Sequence, residues 1–211
     1  MLGRLTRIKS TREGIEESLR TFEQKVAGPA RAEPGFRGLV LMANRETGDA
    51  ITIGYWEDRA SLEASGEKMK QIREEAAAAS GGAMTVTSVE SGEVVSMERV
   101  GDPRAGTFVR LNTVDGKPEL ADAAISAYKA QVLPLLKTLR GFRSAVATVN
   151  RETGRVIVGT VWETAADREA SDSKVAELRK STAAVGGGSS AKVELLEIVF
   201  ADIPAGARTG A

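Results

Sequence analysis

The 211-residue sequence contains no cysteine and no histidine. Without cysteine there are no disulfides, thiolate nucleophiles, iron–sulfur clusters or cysteine zinc sites. Without histidine the usual catalytic triads, the imidazole base and the commonest metal and haem ligand are also gone. Any catalysis falls to carboxylates, Tyr, Arg, Lys, Asn, Ser/Thr, a bound cofactor or the substrate itself. Aromatic residues make up only 4%, so each one is informative. Net charge is absent too, because 29 basic side chains cancel 29 acidic ones. That balance gives no electrostatic reason to expect nucleic acid or an anionic membrane as partner. No apolar run approaches the roughly 20 residues of a membrane span. The N-terminal Met1–Arg7 segment alternates charge with apolar residues and lacks the apolar stretch of a secretory signal. A cytoplasmic protein is the expectation.

What is present is ordinary for a globular chain: 42% apolar and 27% charged residues. Its organisation is less ordinary, because the sequence is written twice. Residue n of the first half falls on residue n + 106 of the second, as Gly35 falls on Gly141. Gly35-Phe36-Arg37 lies on Gly141-Phe142-Arg143, and Asn44–Gly48 lies on Asn150–Gly154 (Asn-Arg-Glu-Thr-Gly in both). Trp56-Glu57 lies on Trp162-Glu163, and Glu63-Ala64-Ser65 on Glu169-Ala170-Ser171. Between Gly35 and Ser65 there are 16 identities in 31 ungapped positions, where chance gives roughly two, so the repeat is a duplication. Residues 1–99 form the first repeat, 100–106 a Pro/Gly-containing linker, 107–200 the second repeat and 201–211 a frayed tail.

Each half gives the same order of elements. Leu2–Lys9 and Thr107–Val114 alternate as strands. Glu13–Ala27 and Glu119–Leu139 have apolar residues at helical spacing, with a kink or early stop expected at Pro134. The two Asn-Arg-Glu-Thr-Gly loops join strands as hairpins. Asp58 and Thr164 are expected to cap second helices, which Gly81-Gly82 and Gly186-Gly187-Gly188 end before a last strand. The order β-α-β-β-α-β is the ferredoxin-like unit, with two helices on one sheet face and the other face bare. The predicted fold class is therefore α+β: two ferredoxin-like βαββαβ repeats forming an intrachain pseudo-dimeric α+β barrel, the bare faces enclosed against each other.

Strand alternation assigns Leu39, Leu41, Ile51 and Ile53 to the helix side. It assigns Phe36, Gly38, Val40, Met42, Thr52, Gly54 and Trp56, with Phe142, Ser144, Val146, Thr148, Val158, Thr160 and Trp162, to the enclosed face. Arg4 and Thr6, and their repeats Arg110 and Asn112, share that face. A buried guanidinium needs a partner. One reading is a salt bridge to Glu90 or Glu194, or a head reaching solvent at the barrel mouth; the other is an anion or enolate site. Trp56 and Trp162, with Phe36 and Phe142, are either core or a stacking surface for a flat aromatic ligand. Tyr55 and Tyr128 are expected to be structural, and Arg37 and Arg143 to form salt bridges at the rim.

Glu33-Pro34-Gly35-Phe36-Arg37-Gly38, a hairpin, then Tyr55-Trp56-Glu57-Asp58 running into Ser61-Leu62-Glu63-Ala64 resembles the antibiotic biosynthesis monooxygenase (ABM) family of the dimeric α+β barrel superfamily. The second copy, from Leu139-Arg140-Gly141-Phe142 through Val161-Trp162-Glu163 to Glu169-Ala170, is similar. The resemblance implies a pseudo-dimer barrel and oxidation of an aromatic or polycyclic substrate by O2 without metal or flavin. Haem-degrading relatives bind iron through a His after the strand-end Trp, and this chain has none. No acid–base pair matches. The expected function is a cofactor-independent monooxygenase holding an apolar or aromatic small molecule between the two sheets, with Trp56, Trp162, Arg4, Arg110, Phe36, Phe142, Thr6 and Asn112 as substrate-binding residues. No cofactor, metal, nucleic acid or membrane is expected, and the chain is a monomer or homodimer. A non-catalytic small-molecule binder or a filled structural barrel is the alternative, and an isomerase or lyase a third reading that fold alone does not separate.

Overall fold

The computed structural model describes residues 1–203, apart from the side chains at 189–191. The remainder of the expected tail, 204–211, lies outside the described residues. The chain divides into two compact units. The first contains residues 1–91 and the end of the last strand from Glu197; the second contains residues 92–196.

In the first unit β1 (Leu2–Ser10) pairs antiparallel with β3 (Asp49–Trp56), and β3 with β2 (Phe36–Asn44). The β2–β3 hairpin turns where expected. Asn44 Oδ1 accepts from the backbone N–H of Glu46 at 2.9 Å and of Thr47 at 3.1 Å. Gly48 takes a φ of 73°, which glycine adopts without a Cβ penalty. The first helical segment runs as α1 (Ile15–Phe22), a π-helical turn at Glu23–Ala27 and α2 (Gly28–Arg31). The second is α3 (Arg59–Ala64) and α4 (Gly66–Ala79), with Asp58 Oδ1 accepting from Ser61 N–H at 2.8 Å as the N-cap.

The second unit repeats this plan. It has β5 (Phe108–Asp115), β6 (Phe142–Asn150) and β7 (Arg155–Trp162), with the matching Asn150 turn. Its first helix is α5 (Ala121–Ala127), a π turn at Tyr128–Val132 and α6 (Leu133–Thr138). The helix therefore passes Pro134 instead of stopping. Pro134 sits in the first turn of α6, where the missing N–H costs little, and the π turn precedes it. Pro29 follows the first unit's π turn in the same way. The second helix, α7 (Ala165–Val185), is continuous, and the Thr164 hydroxyl caps it by accepting from Asp167 N–H at 3.0 Å.

Two long strands, β4 (Met84–Arg99) and β8 (Ser189–Asp202), belong partly to each unit. The end of β4 pairs with β6 through Glu93↔Val149 to Arg99↔Ser144, inside the second unit. The end of β8 pairs with β2 through Ala43↔Glu197 to Leu39↔Asp202, inside the first. The hydrogen-bonded order is β1-β3-β2-β8-β5-β7-β6-β4, which closes as an eight-stranded barrel. No helix among the described residues is long and apolar enough to cross a membrane.

The face assignment requires a correction. β2 carries a β-bulge between Phe36 and Gly38, and β6 the same irregularity between Phe142 and Ser144. One extra residue flips every later side chain to the other face. Leu39, Leu41 and Ala43 consequently sit beside Gly54, Thr52 and Ala50, while Val40 and Met42 sit beside Ile53 and Ile51. The face holding Trp56, Leu39, Leu41 and Ala50 packs on Phe22, Val26 and Ala30 of the first helical segment and Met69, Ile72 and Ala76 of α4. In the second unit Phe142, Ala145, Ala147 and Trp162 pack on Tyr128, Val132, Leu136 and Val175. Phe36, Thr52, Gly54 and Trp56, and Phe142, Thr160 and Trp162, expected between two sheets, thus lie under the helices of their own half; Leu39 and Leu41 are on the helix side as expected, while Ile51 and Ile53 share the other face with Val40 and Met42.

Candidate functional site

Each unit has a cavity between its sheet and its helices. That of the first unit is about 30 Å³ and is lined by Arg4, Thr6, Thr52, Gly54, Trp56 and Arg73, among others. That of the second is larger, about 80 Å³, and its wall is largely apolar, formed by residues such as Ala121, Ile125, Val132, Ala147, Val158 and Val175. The repeat accounts for the hollow. Where the first half has Ile15, Leu41 and Met69, the second has Ala121, Ala147 and Val175, each shorter by at least one heavy atom and all lining the cavity.

Arg110, Asn112, Tyr128, Thr160, Arg179 and Thr182 supply the polar part of that wall. Four buried polar atoms among them have no hydrogen-bond partner among the described residues: Asn112 Oδ1, Tyr128 Oη, Thr182 Oγ1 and Arg179 Nη1. Buried polar atoms are ordinarily satisfied, because leaving one unpaired costs about 1–3 kcal/mol. A group of them around one apolar hollow is the arrangement of a small-molecule pocket, with a few polar groups to orient a ligand. Burial pushes the Tyr128 phenol well above its usual range, and the Glu98 charge adds to this. Tyr128 is therefore a neutral donor and not a base. No carboxylate is among the residues that line the cavity. Among the described residues no group of three or more Asp or Glu is placed to hold a metal.

The two strand arginines are held by groups of the second helical segment of their own unit and not by Glu90 or Glu194. Arg4 Nη1 donates to Ser65 Oγ at 3.1 Å and Nη2 to the Leu62 carbonyl. Its guanidinium also lies 4.7 Å from the Trp56 ring centroid. Arg110 repeats this with Ser171 Oγ at 2.7 Å and the Arg168 carbonyl, and adds a 3.6 Å contact with Asp172 Oδ1. Glu90 pairs instead with Arg7, and Glu194 with Lys192 at 2.7 Å. The strand arginines reach helix carbonyls because their face lies under the helices. Desolvation lowers the pKa of both. Arg37 and Arg143 do form the expected ion pairs, with Glu57 at 2.6 Å and with Glu163.

The remaining sequence candidates divide. Trp56, Arg4 and Thr6 line the smaller cavity, and Arg110 and Asn112 the larger. Phe36 and Phe142 line neither; each packs edge-on to its tryptophan, at 5.9 and 5.7 Å between centroids. Trp162 is fully buried in that pair and does not line the larger cavity. Tyr128, Thr182 and Arg179 were not expected at a site. Laying the halves on each other reveals two of them, since Tyr128 and Thr182 add hydroxyls where the first half has Phe22 and Ala76.

Comparison with known proteins agrees with this architecture. Residues 1–75 match the family model described as antibiotic biosynthesis monooxygenase. An uncharacterised protein of Mycobacterium tuberculosis is 29% identical over 160 residues, which cover 76% of this chain and 70% of that protein. The crystal structure of an anthrone oxidase-like protein superimposes with a TM-score of 0.69 at 18% identity, covering 100% of this chain and 95% of that one. A ferredoxin-fold protein of Listeria monocytogenes related to antibiotic biosynthesis monooxygenases gives a TM-score of 0.55 at 10% identity, covering 93% and 94%. At such identities the structural likeness concerns the fold.

Proposed function

Starting from an antibiotic biosynthesis monooxygenase domain at residues 1–75, we propose that the chain is a cofactor-independent oxygenase of an electron-rich aromatic small molecule, bound in the cavity of the second half. The observation that carries this reading is the set of four unpartnered buried polar atoms around one apolar hollow. A phenolic or anthrone-type substrate supplies the missing chemistry itself. Its enolate, formed as the ring CH2 gives up a proton to solvent, is electron-rich enough to pass electrons to O2. A ring CH2 then becomes C=O, one oxygen atom enters the product and the other leaves as water, so no outside reductant is needed.

Each polar group has a part in that reaction. Arg110 and Arg179 favour the enolate over its neutral form. The Tyr128 hydroxyl, held protonated by burial, donates to the developing oxyanion. Asn112 and Thr182 fix the orientation of the ring. The 80 Å³ hollow is about half the volume that accepts a benzene in a dry engineered cavity. Only part of one ring fits that volume, so binding of the whole substrate in this cavity requires its wall to open.

Incubation with a dihydroxyanthracenone in air and under anaerobic conditions tests the proposal. Faster quinone formation with protein in air, slowed in Tyr128→Phe, is expected. Equal rates with and without protein overturn it. The cavity wall lacks a carboxylate, which favours a second reading, a non-catalytic binder of the same ligand class. Ligand-dependent thermal stabilisation without O2 consumption identifies that case.

A further inference from the structure

The duplication exposes a second site, in the first half. In the second half Asp172 closes a small ionic cluster: its Oδ1 is 2.7 Å from Arg179 Nη2 and 3.6 Å from Arg110 Nη2. The first half has both arginines, as Arg4 and Arg73, but Gly66 stands where Asp172 does. Arg4 is 8% exposed and its hydrogen-bond partners, Ser65 Oγ and the Leu62 carbonyl, are neutral. Arg73 is half-buried and makes no hydrogen bond or ion pair among the described residues. Desolvation lowers the pKa of both, the Arg73 charge adds to this at Arg4, and the Glu74 charge offsets part of it at Arg73. Two cations drawn partly out of water, with no carboxylate hydrogen-bonded or ion-paired to either among the described residues, are costly.

Space for the missing charge exists. A Cβ added at Gly66 would meet nothing nearer than Arg4 Nη2, at 3.9 Å. Arg4 and Arg73 both line the 30 Å³ cavity, which has room for about two water-sized groups. A carboxylate has two oxygens of about that size. A guanidinium presents N–H groups in a planar fork that matches them.

We propose that Arg4 and Arg73 form a binding site for a small organic carboxylate, whose charge takes the place Asp172 fills in the other half. The site is separate from the second-half cavity and does not depend on the proposed oxygenase reaction.

Acetate and formate, compared with chloride at constant ionic strength, are the probes, read by thermal unfolding and titration calorimetry. The unfolding midpoint of the native sequence rises with acetate concentration and not with chloride. Gly66→Asp raises the midpoint in chloride and removes most of the acetate response, because the carboxylate is now built in. Arg73→Gln removes the response while the fold persists, since this side chain has no structural partner to lose, and it decides the matter if Gly66→Asp does not fold. Asp172→Gly opens the equivalent place in the second half and adds a second acetate-dependent rise. Equal responses to acetate and chloride in the native sequence, or a full acetate response in Arg73→Gln, overturn the proposal.

Discussion

The Trp162 indole Nε1 donates a 3.0 Å hydrogen bond to the hydroxyl of Thr160, two residues earlier on the same strand. The repeat breaks this relationship in the first half. Gly54 replaces Thr160, and Trp56 Nε1 is buried without a partner among the described residues. The two tryptophans occupy equivalent positions and live in different surroundings. A Cβ added at Gly54 would lie 2.6 and 2.7 Å from two carbons of the Trp56 ring. Thr160→Val is expected to cost about 1–3 kcal/mol, read from urea unfolding, because it strands a buried N–H. Gly54→Ala is expected to cost a similar amount, about 1–3 kcal/mol, by forcing the indole off its place. Unchanged stability in both variants would contradict this account of the pair.

Tyr128→Phe separates stability from function. The substitution removes a buried hydroxyl that has no partner. Stability should hold or rise, by up to about 1 kcal/mol, since the apolar ring stays in place. Aromatic-ligand binding and any turnover should fall by about tenfold, the loss of one hydrogen bond to a charged group. Thermal unfolding with and without ligand measures both effects on one sample.

Ala147→Leu restores to the second half the side chain that Leu41 supplies in the first. It fills part of the 80 Å³ hollow. Ligand-dependent stabilisation should disappear while the apo protein becomes more stable by about 1 kcal/mol. A ligand response surviving in Ala147→Leu would place the binding site elsewhere.

Acid should weaken the second-half ionic cluster through Asp172. Burial alone raises this carboxyl's pKa. The hydrogen bond and charge of Arg179, with the charge of Arg110, outweigh it and leave the pKa below its ordinary value. A group with a depressed folded pKa stabilises above its unfolded value of about 3.9 and loses that contribution as pH falls through the folded value. Urea midpoints taken from about pH 5 down to about pH 3 should drop less steeply in Asp172→Asn than in the native sequence. Parallel curves for the two proteins would remove Asp172 from the account.

The order of elements, the hairpins and the helix caps were legible because each rests on local chemistry. Asn44, Gly48, Asp58 and Thr164 act on backbone groups within a few residues of themselves. Beyond the bulge at Phe36/Gly38 the β2 faces follow alternation, with Leu39 and Leu41 under the helices; what was not legible is that the inserted residue puts Phe36, and with it Thr52, Gly54 and Trp56 of β3, on that same side. The Gly38 φ of 142° marks the spot in the first half, but the repeat has Ser144 there, so the glycine alone does not announce the bulge. The sequence marks Arg4 and Arg110 as buried cations on one face. Their partners were missed because they are main-chain carbonyls of the second helix, Leu62 and Arg168, which no residue-type pattern reveals. Tyr128 looked structural because it sits on the helix's apolar stripe, which is also the wall of the cavity.

Strands β4 and β8 each start in one unit and finish in the other. A cut at the peptide joining the two repeats would leave the Gly92–Arg99 segment without β6, and β2 with an unsatisfied edge in place of its ladder to Glu197–Asp202. Such an edge invites aggregation. Neither repeat is therefore a self-sufficient fragment. This mutual lending binds the copies together as a lineage: one can lose or gain a pocket, as the exchange of Leu41 for Ala147 illustrates, only while it still delivers an intact ribbon to its sibling.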